Sequence, residues 1–285
     1  EIGVRLVGSE MCIRDSLKHW LERELGTSCA KAILPVMQEH YRLAHIRKPE
    51  FMGNTREEEK NPVYRVVKDL PWSEREINER LNAYSQLSET VEKAASKVSA
   101  DRRSAYFELV KYPVQAAAQM NRKLLYAQLA RHDKADWEKS DAAYDSIAAL
   151  TQHYNSLENG KWNRMMDFKP RKLPVFNRVE RKAATAPMTA DRKAVCQWNG
   201  AEAKKGNAIV CEGLGYEGKA AEIRKGDALT FSFGNLKTDS VEVDIRLLPN
   251  HPVQDDKLRF SVSLDGAEPE AVSYTHLRAH ETDSY

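Results

Sequence analysis

The chain has 285 residues, of which 41% are hydrophobic and 30% are charged. This length predicts about two domains. The 44 basic and 42 acidic residues leave a net charge of only +2, so strong electrostatic capture of nucleic acid is not expected. The sequence contains no apolar run of about 20 residues, so no membrane-spanning helix is predicted. The four cysteines are too few for a disulfide scaffold and have no zinc-ligand spacing, so neither a metal site nor a cofactor is predicted.

Residues 17–160 have the periodicity of successive helices. Gly26 predicts the end of the first helix, and Lys48-Pro49 closes the second. Ser73 with Glu76 three positions later predicts a capping box at the start of the third. The apolar stripe of that third helix recurs at the helical spacing and comprises Ile77, Leu81, Tyr84, Leu87, Val91, Ala94 and Val98.

Asp101 predicts the N-cap of a further helix, which runs towards His132 and should kink at Pro113. Its apolar residues lie on more than one face, which indicates a central, covered position. A last helix extends from Trp137 past Tyr154. Long helices with short connections predict an antiparallel helical bundle.

Residues 161–191 are irregular and contain several prolines, and we interpret them as a linker that packs along the bundle. The most basic part of the chain, residues 169–182, lies within this segment. A nucleic-acid patch is the alternative for that run. Its two prolines and its lack of alternating aromatic residues favour a solvated linker.

From Arg192 onward the hydrophobic period changes to two, which predicts half-buried antiparallel strands. The first contains Leu229, Phe231 and Phe233, and others are predicted at residues 240–248 and 257–264. Asp265-Gly266 is a hairpin signal that leads into a strand beginning at residues 268–272. The predicted fold class is therefore α+β, with a helical bundle (17–160) followed by an incomplete antiparallel β-sandwich (192–271).

The two ends of the chain share an unusual property. Residues 6–16, which show no helical period, can be read from one DNA sequence, and residues 272–281 from its reverse complement shifted by one base. That DNA resembles a transposase-type sequencing adapter, whereas the alternative is two unrelated surface tails. We therefore expect residues 1–16 and 272–285 to be adapter-derived and poorly packed, and the sheet containing residues 258–264 to keep an unpaired edge. A source contig whose terminal nucleotides are not reverse complements would contradict this.

Five stretches carry a family resemblance: YPVQAAAQMNRKLLYAQ (112–128), GKWNRMMD (160–167), GYEGKA (215–220), RLLPNHPV (246–253) and LRFSVSLDG (258–266). Together and in this order, they resemble the C-terminal half of glycoside hydrolase family 115, the α-glucuronidases of xylan breakdown. The resemblance implies a catalytic (β/α)₈ barrel before the bundle, with a β-sandwich after it. It further implies that glucuronic acid or its 4-O-methyl ether is removed by inverting hydrolysis, for which acid and base carboxylates lie in the barrel.

The resemblance implies that this chain holds no catalytic residues and is inactive alone. The parent enzyme would act on glucuronoxylan in a periplasmic or secreted location and without a cofactor, and a homodimer is one option for its oligomeric state. The alternative function is a non-catalytic module that binds carbohydrate or protein. Sequence upstream of Leu17 would discriminate between these functions, because barrel strands ending in carboxylates favour the enzyme.

Trp162 and Asn163 are the candidate substrate-adjacent residues, because an aromatic ring can stack on a sugar while an amide bonds its hydroxyls. The alternative is that Trp162 plugs the bundle end together with Met165 and Met166. Buried amides satisfied by backbone are predicted at Asn121 and Gln128, with ligand contact as the alternative. Carboxylate-rich runs at residues 55–60 and 72–80 are interpreted as solvated helix faces.

Overall fold

The computed structural model describes residues 7–53, 67–191, 194–203, 206, 209–212, 219–224, 226–234, 243, 245 and 258–274, with the backbone alone at 7–14, 212, 258–259 and 270–274. The chain divides into two compact units. The helical unit comprises Glu1–Ala44 and Lys48–Lys193, and the β unit comprises His45–Arg47 and Ala194–Tyr285.

Two helices open the helical unit, α1 (Val7–Leu25) and α2 (Thr27–Ile46). Gly26 separates them with a φ of +80°, a left-handed conformation that glycine adopts without steric cost. The predicted stop at Gly26 is thereby confirmed. The expectation that residues 6–16 lack a helix is wrong from Val7 onward, because their backbone continues α1 without a break.

Helix α3 (Glu74–Ala95) begins with the predicted capping box. The Glu76 backbone N–H donates to the Ser73 hydroxyl, and the Ser73 N–H donates to the Glu76 carboxylate over 2.9 Å. These bonds satisfy donors that a helix start leaves unpaired. All seven residues of the predicted apolar stripe are buried.

Three short elements replace the single kinked helix predicted after Asp101. A 3₁₀ turn (Ala100–Arg102) and α4 (Arg103–Tyr106) lead into one turn of π-helix at Phe107–Lys111, and then into α5 (Tyr112–Arg131). Asp101 is not an N-cap, because Ser99 occupies that position for the 3₁₀ turn. Pro113 instead lies in the first turn of α5, where proline's missing N–H is tolerated.

Helix α6 (Trp137–Gly160) completes the helical unit, and the side-chain contacts establish its direction. Tyr112 of α5 faces Thr151 of α6, whereas Lys123, further along α5, accepts a bond from Ser140. The residue numbers of the α6 partners therefore decrease as the residue numbers along α5 increase. The same holds between α3 and α5, where Arg80 bonds Asn121 and Ser88 bonds Gln115. Helix α5 is thus antiparallel to both of its neighbours, α3 and α6, as predicted.

Two segments outside the long helices pack against them, and we call them the Leu70 strap (residues 67–72) and the Val175 strap (residues 173–179, with a 3₁₀ turn at Pro174–Phe176). Both contribute to one apolar cluster with α3, α5 and α6. Its buried members are Met52, Leu70, Trp72, Ile77, Leu81, Met120, Leu124, Leu125, Leu129, Ile147, Leu173 and Val175. The Val175 strap belongs to the predicted linker.

The β unit contains two antiparallel hairpins in its described residues. Strand β1 (Ile209–Glu212) pairs with β2 (Lys219–Glu222), a pairing that the sequence analysis missed. Strand β3 (Leu258–Val262) pairs with β4 (Glu270–Tyr274) across the predicted Asp265-Gly266 turn. The expectation of a strand interrupted after Val272 is wrong, because Ser273 and Tyr274 continue the pairing with β3.

The strand predicted through Leu229, Phe231 and Phe233 is wrong, because residues 231–234 have no strand structure and Phe233 is 45% exposed. Alternating apolar residues define a strand only when a neighbour supplies ladder hydrogen bonds. The strand predicted at 240–248 lies outside the described residues apart from Val243 and Ile245, as does the motif at 246–253. The α+β class, with a helical bundle followed by a small, incomplete antiparallel sheet, is confirmed.

None of the helices in the described part of the chain combines the length and apolar character needed to cross a bilayer.

Candidate functional site

The motif GKWNRMMD forms a compact turn at the end of α6. Helical geometry is already lost at Leu157, and Gly160 has a φ of +83°. The Asn163 N–H donates to the Gly160 carbonyl over 3.0 Å, and the Met165 N–H donates to the Trp162 carbonyl over 2.9 Å. The turn is therefore held by its own backbone, which fixes where its side chains are presented.

Asn155 of α6 anchors the end of this turn. Its side-chain amide donates to the Met166 carbonyl over 2.9 Å and accepts from the Met166 N–H over 3.0 Å. A two-point bond of this kind imitates a β-ladder and satisfies both backbone groups of one residue. The turn is therefore fastened to the helix that precedes it.

Trp162 and Asn163 differ in exposure within the turn. Asn163 is exposed, whereas Trp162 is half-buried with the Lys161 ammonium 4.6 Å from its ring centroid. The indole Nε1 is fully buried and has no hydrogen-bond partner among the described residues. Such an unpaired donor carries an energetic cost. The turn thus presents a free amide beside an aromatic ring.

The packing alternative for this motif receives mixed support. Half-burial of Trp162 and Met166 is compatible with a packing role. Met165 is 59% exposed, so it does not plug the end of the bundle.

An aromatic and cationic cluster follows the turn. The rings of Tyr144 and Phe168 meet edge to face with centroids 6.2 Å apart. The Tyr144 ring is approached by Arg178 at 4.5 Å, Lys169 at 5.6 Å and Lys123 at 5.9 Å. Because cations already surround this ring, it is unsuited to stacking on a sugar.

Arg178 also forms ion pairs with α6. It donates to Asp141 over 2.7 Å and to Asp145 over 2.5 Å, and Arg181 donates to Asp141 as well. Arg181 and Arg178 together lower the pKa of Asp141. The basic run predicted as a linker thus fastens the end of the Val175 strap and the residues after it to the bundle.

The two amides predicted on α5 are both buried and both satisfied. Gln128 accepts from the Leu70 N–H over 3.0 Å and donates to the Leu70 carbonyl over 2.8 Å. Asn121 donates to the Ala117 carbonyl and accepts from Arg80. Their hydrogen bonds are made within the protein, which favours the structural role over ligand contact.

The sequence analysis missed Lys123, a fully buried lysine on α5. Its ammonium donates to the Val175 carbonyl over 2.6 Å and to the Asn177 carbonyl over 3.0 Å. Burial, and secondarily the charge of Lys169, lowers its pKa to about 7. The sequence did contain one indication that this lysine is buried: it lies in a helix whose apolar residues occupy more than one face.

Carboxylates of the run at residues 72–80 have structural partners. Glu76 belongs to the capping box, Glu79 pairs with Arg75 over 2.9 Å, and Glu74 lies 3.5 Å from the Lys134 ammonium. Exposed pairs of this type contribute little to stability. The run at 55–60 lies outside the described residues. Within the described part of the chain, no three His, Cys, Asp or Glu residues gather as metal ligands.

Comparison with known proteins gives a specific result. No family model matches the chain, and no match is found among curated proteins. A solved structure described as a family GH115 4-O-methyl-α-glucuronidase, with specificity for decorated arabinogalactans, is 91% identical over 93% of this chain with a TM-score of 0.79. The chain spans about a third of that protein's length, since it covers 35% of it. This identity extends through the helices and the β unit alike, so the chain is similar to about a third of a family GH115 enzyme.

Proposed function

We propose that this chain is the helical and β-rich part of a 4-O-methyl-α-glucuronidase, whose parent enzyme hydrolytically removes (4-O-methyl)glucuronic acid from polysaccharide side chains. The observation that carries this proposal is the 91% identity to such an enzyme over 93% of the chain. The acid and base carboxylates of the parent lie outside the present chain, so the chain alone does not catalyse the reaction.

The proposed substrate class follows the same comparison. The family resemblance implies glucuronoxylan, whereas the 91% identical protein is described as specific for decorated arabinogalactans. Side chains of decorated arabinogalactan are therefore the preferred substrate of the parent, with glucuronoxylan as the second candidate. Polysaccharides of either kind are met outside the cytoplasm, so the parent acts in the periplasm or after secretion.

Activity measurements on both proteins test this proposal. The parent enzyme and the isolated chain are incubated with decorated arabinogalactan and with glucuronoxylan, and released glucuronic acid is quantified. The parent should release product, and faster from arabinogalactan, while the isolated chain releases none. Release by the isolated chain would place catalytic residues within it and contradict the proposal. Polysaccharide binding by the isolated chain, combined with an inactive parent, would favour the non-catalytic binding module.

The turn at Gly160 is proposed to border the bound substrate in the parent enzyme. An exposed amide at Asn163 can bond sugar hydroxyls, and the exposed part of the half-buried Trp162 ring can contact a sugar face. Both groups sit on a turn held by backbone bonds and by Asn155, and such rigid placement suits recognition.

Trp162→Ala in the parent, with Trp137→Ala as a matched control, separates recognition from packing. Both tryptophans are half-buried residues of the α6 region, and each has a cation over its ring. Trp137 begins α6 and Trp162 follows its last residue, and the regular part of that helix before Leu157 is about 30 Å long. Recognition predicts a higher KM only for the Trp162 variant. Equal losses of melting temperature with unchanged kinetics in both variants would assign Trp162 to packing.

A further inference from the structure

Helix α5 binds the two straps through two different side chains, an amide and an amine. Gln128 binds both backbone groups of Leu70, and Lys123, five positions earlier, binds the carbonyls of Val175 and Asn177. The straps bury comparable apolar residues in one cluster, since Leu70 is 3% exposed and Val175 is 1% exposed. The two clamps therefore differ chiefly in whether the clamping group can bind a proton.

The Lys123 clamp has no carboxylate to compensate its charge. Lys123 is 0% exposed, and no acidic group forms an ion pair with it in the described part of the chain. Among the described residues, the groups that approach it are the Tyr144 ring of α6 and the Lys169 ammonium, and Arg178 at the end of the strap approaches the same Tyr144 ring. Arg178 already pairs with Asp141 and Asp145.

Hydrogen-bond counting identifies the protonation state that fits this site. A neutral amine has two N–H donors, and the strap offers two carbonyl acceptors at 2.6 and 3.0 Å. A charged ammonium brings a third donor and a net charge into an apolar cluster, where the only further partner among the described residues is the Tyr144 ring at 5.9 Å. Burying an uncompensated charge costs free energy, and exposure of the ammonium to water removes that cost.

We propose that Lys123 makes the Val175 strap a proton-controlled latch, in which the neutral amine favours the strap closed on α5 and protonation favours its opening to water. The Leu70 strap is clamped by Gln128, which does not titrate, and its Asp69 pairs with Arg131 and His132. The proposed latch depends on the contacts between α5 and the Val175 strap, and it is independent of the proposed glucuronidase activity.

The direction of the pH dependence follows from the two states of the lysine. In the closed strap its pKa is lowered to about 7 by burial and by Lys169, against 10.5 when it is exposed. The open strap binds the proton more tightly, so closure strengthens as pH rises from about 7 towards 10.5 and is weak and nearly constant below 7. In the rising range the closed-to-open ratio changes by up to about tenfold per pH unit.

Hydrogen exchange on the intact chain tests this latch. Protection factors of the Val175, Phe176 and Asn177 amides are measured between pH 6 and pH 9 and compared with that of Leu70, whose N–H is bound by Gln128. Protection of the Val175 strap should rise roughly tenfold or more between pH 7 and pH 9 relative to Leu70. Parallel pH profiles for the two straps would overturn the proposal.

Lys123→Met provides the matching variant, since it removes the titrating group while keeping a long apolar stem. The pH dependence of the Val175 strap should then disappear, although its protection is lower throughout because two carbonyls lose their donor. Persistence of the wild-type slope in this variant would assign the effect to another group. If the variant does not fold, the wild-type comparison with Leu70 remains decisive.

Discussion

The helical unit and the β unit treat their apolar side chains differently. In the helical unit, large residues such as Leu125 and Val91 are completely buried, and both straps pack in the same cluster as Leu125. In the β unit, Ile209, Ile223 and Leu264 are each 46–51% exposed although they lie in or beside strands. The first unit thus derives its stability from burial and the second from hairpin pairing.

This difference follows from where each element finds its hydrogen-bond partners. A helix satisfies its backbone within one segment, so side chains remain free to build a core, and polar groups such as Gln128 can hold neighbouring backbone. In the described residues, strands β1 and β3 pair only with β2 and β4, and a two-stranded hairpin buries little on its own. Matched substitutions in the two units should therefore have unequal effects.

The largest difference is expected between Leu125→Ala and Leu264→Ala. Leu125 is 0% exposed and Leu264 is 49% exposed, so only the first substitution leaves a cavity. Leu125→Ala should lower the free energy of unfolding by about 2–5 kcal/mol, and Leu264→Ala by less than about 0.5 kcal/mol. Urea unfolding followed by helical circular dichroism measures both. Equal losses would show that Leu264 is covered in solution and would remove the contrast between the units.

An intermediate effect is expected when the Leu70 clamp is deleted. Gln128→Leu leaves the buried N–H and carbonyl of Leu70 without partners, which costs about 1–3 kcal/mol for such groups. Gln152→Leu is the control, because Gln152 is an exposed glutamine on α6. Urea midpoints of the two variants give the comparison. A Gln128 variant as stable as the wild type would mean that water replaces the lost bonds and that the strap is held by its apolar residues alone.

Local signals predicted the features of this fold that are completed within a few residues. Ser73 and Glu76 form their capping box inside one turn, Gly26 adopts its positive φ without distant contacts, and Asp265-Gly266 closes a hairpin between adjacent strands. The burial of Asn121 followed from its place on an apolar helix.

Features that depend on distant partners were predicted less well. Whether Lys123 reaches solvent or a buried carbonyl depends on the Val175 strap, 52 positions away. The π-helical turn at Phe107–Lys111 lies where a simple kink at Pro113 was predicted. The alternation at Leu229 and Phe231 has no paired neighbour in the described structure, so its pattern alone does not make a strand. At the candidate turn, the sequence identified Trp162 and Asn163 but not the Asn155 anchor that holds it.

The smallest difference is expected between two capping boxes, one in each unit. Ser73 caps the 22-residue helix α3, whose inner face is buried, and Asn199 caps the three-residue 3₁₀ turn Gly200–Glu202. Loss of an N-cap costs about 1 kcal/mol when the helix it starts is packed. Ser73→Ala should therefore destabilise the helical unit by about this amount, because the Glu76 N–H loses its acceptor at a part-buried position.

Asn199→Ala should destabilise by only a few tenths of a kcal/mol, because the Ala201 N–H that it frees can bond water at a surface turn. Thermal unfolding of both variants, with Ser96→Ala at the exposed end of α3 as a control, measures the difference. A loss at Asn199 as large as that at Ser73 would mean that its additional bond to the Lys219 carbonyl holds β2 in place. Side-chain capping would then organise the β unit as well, and hairpin pairing alone would no longer account for its stability.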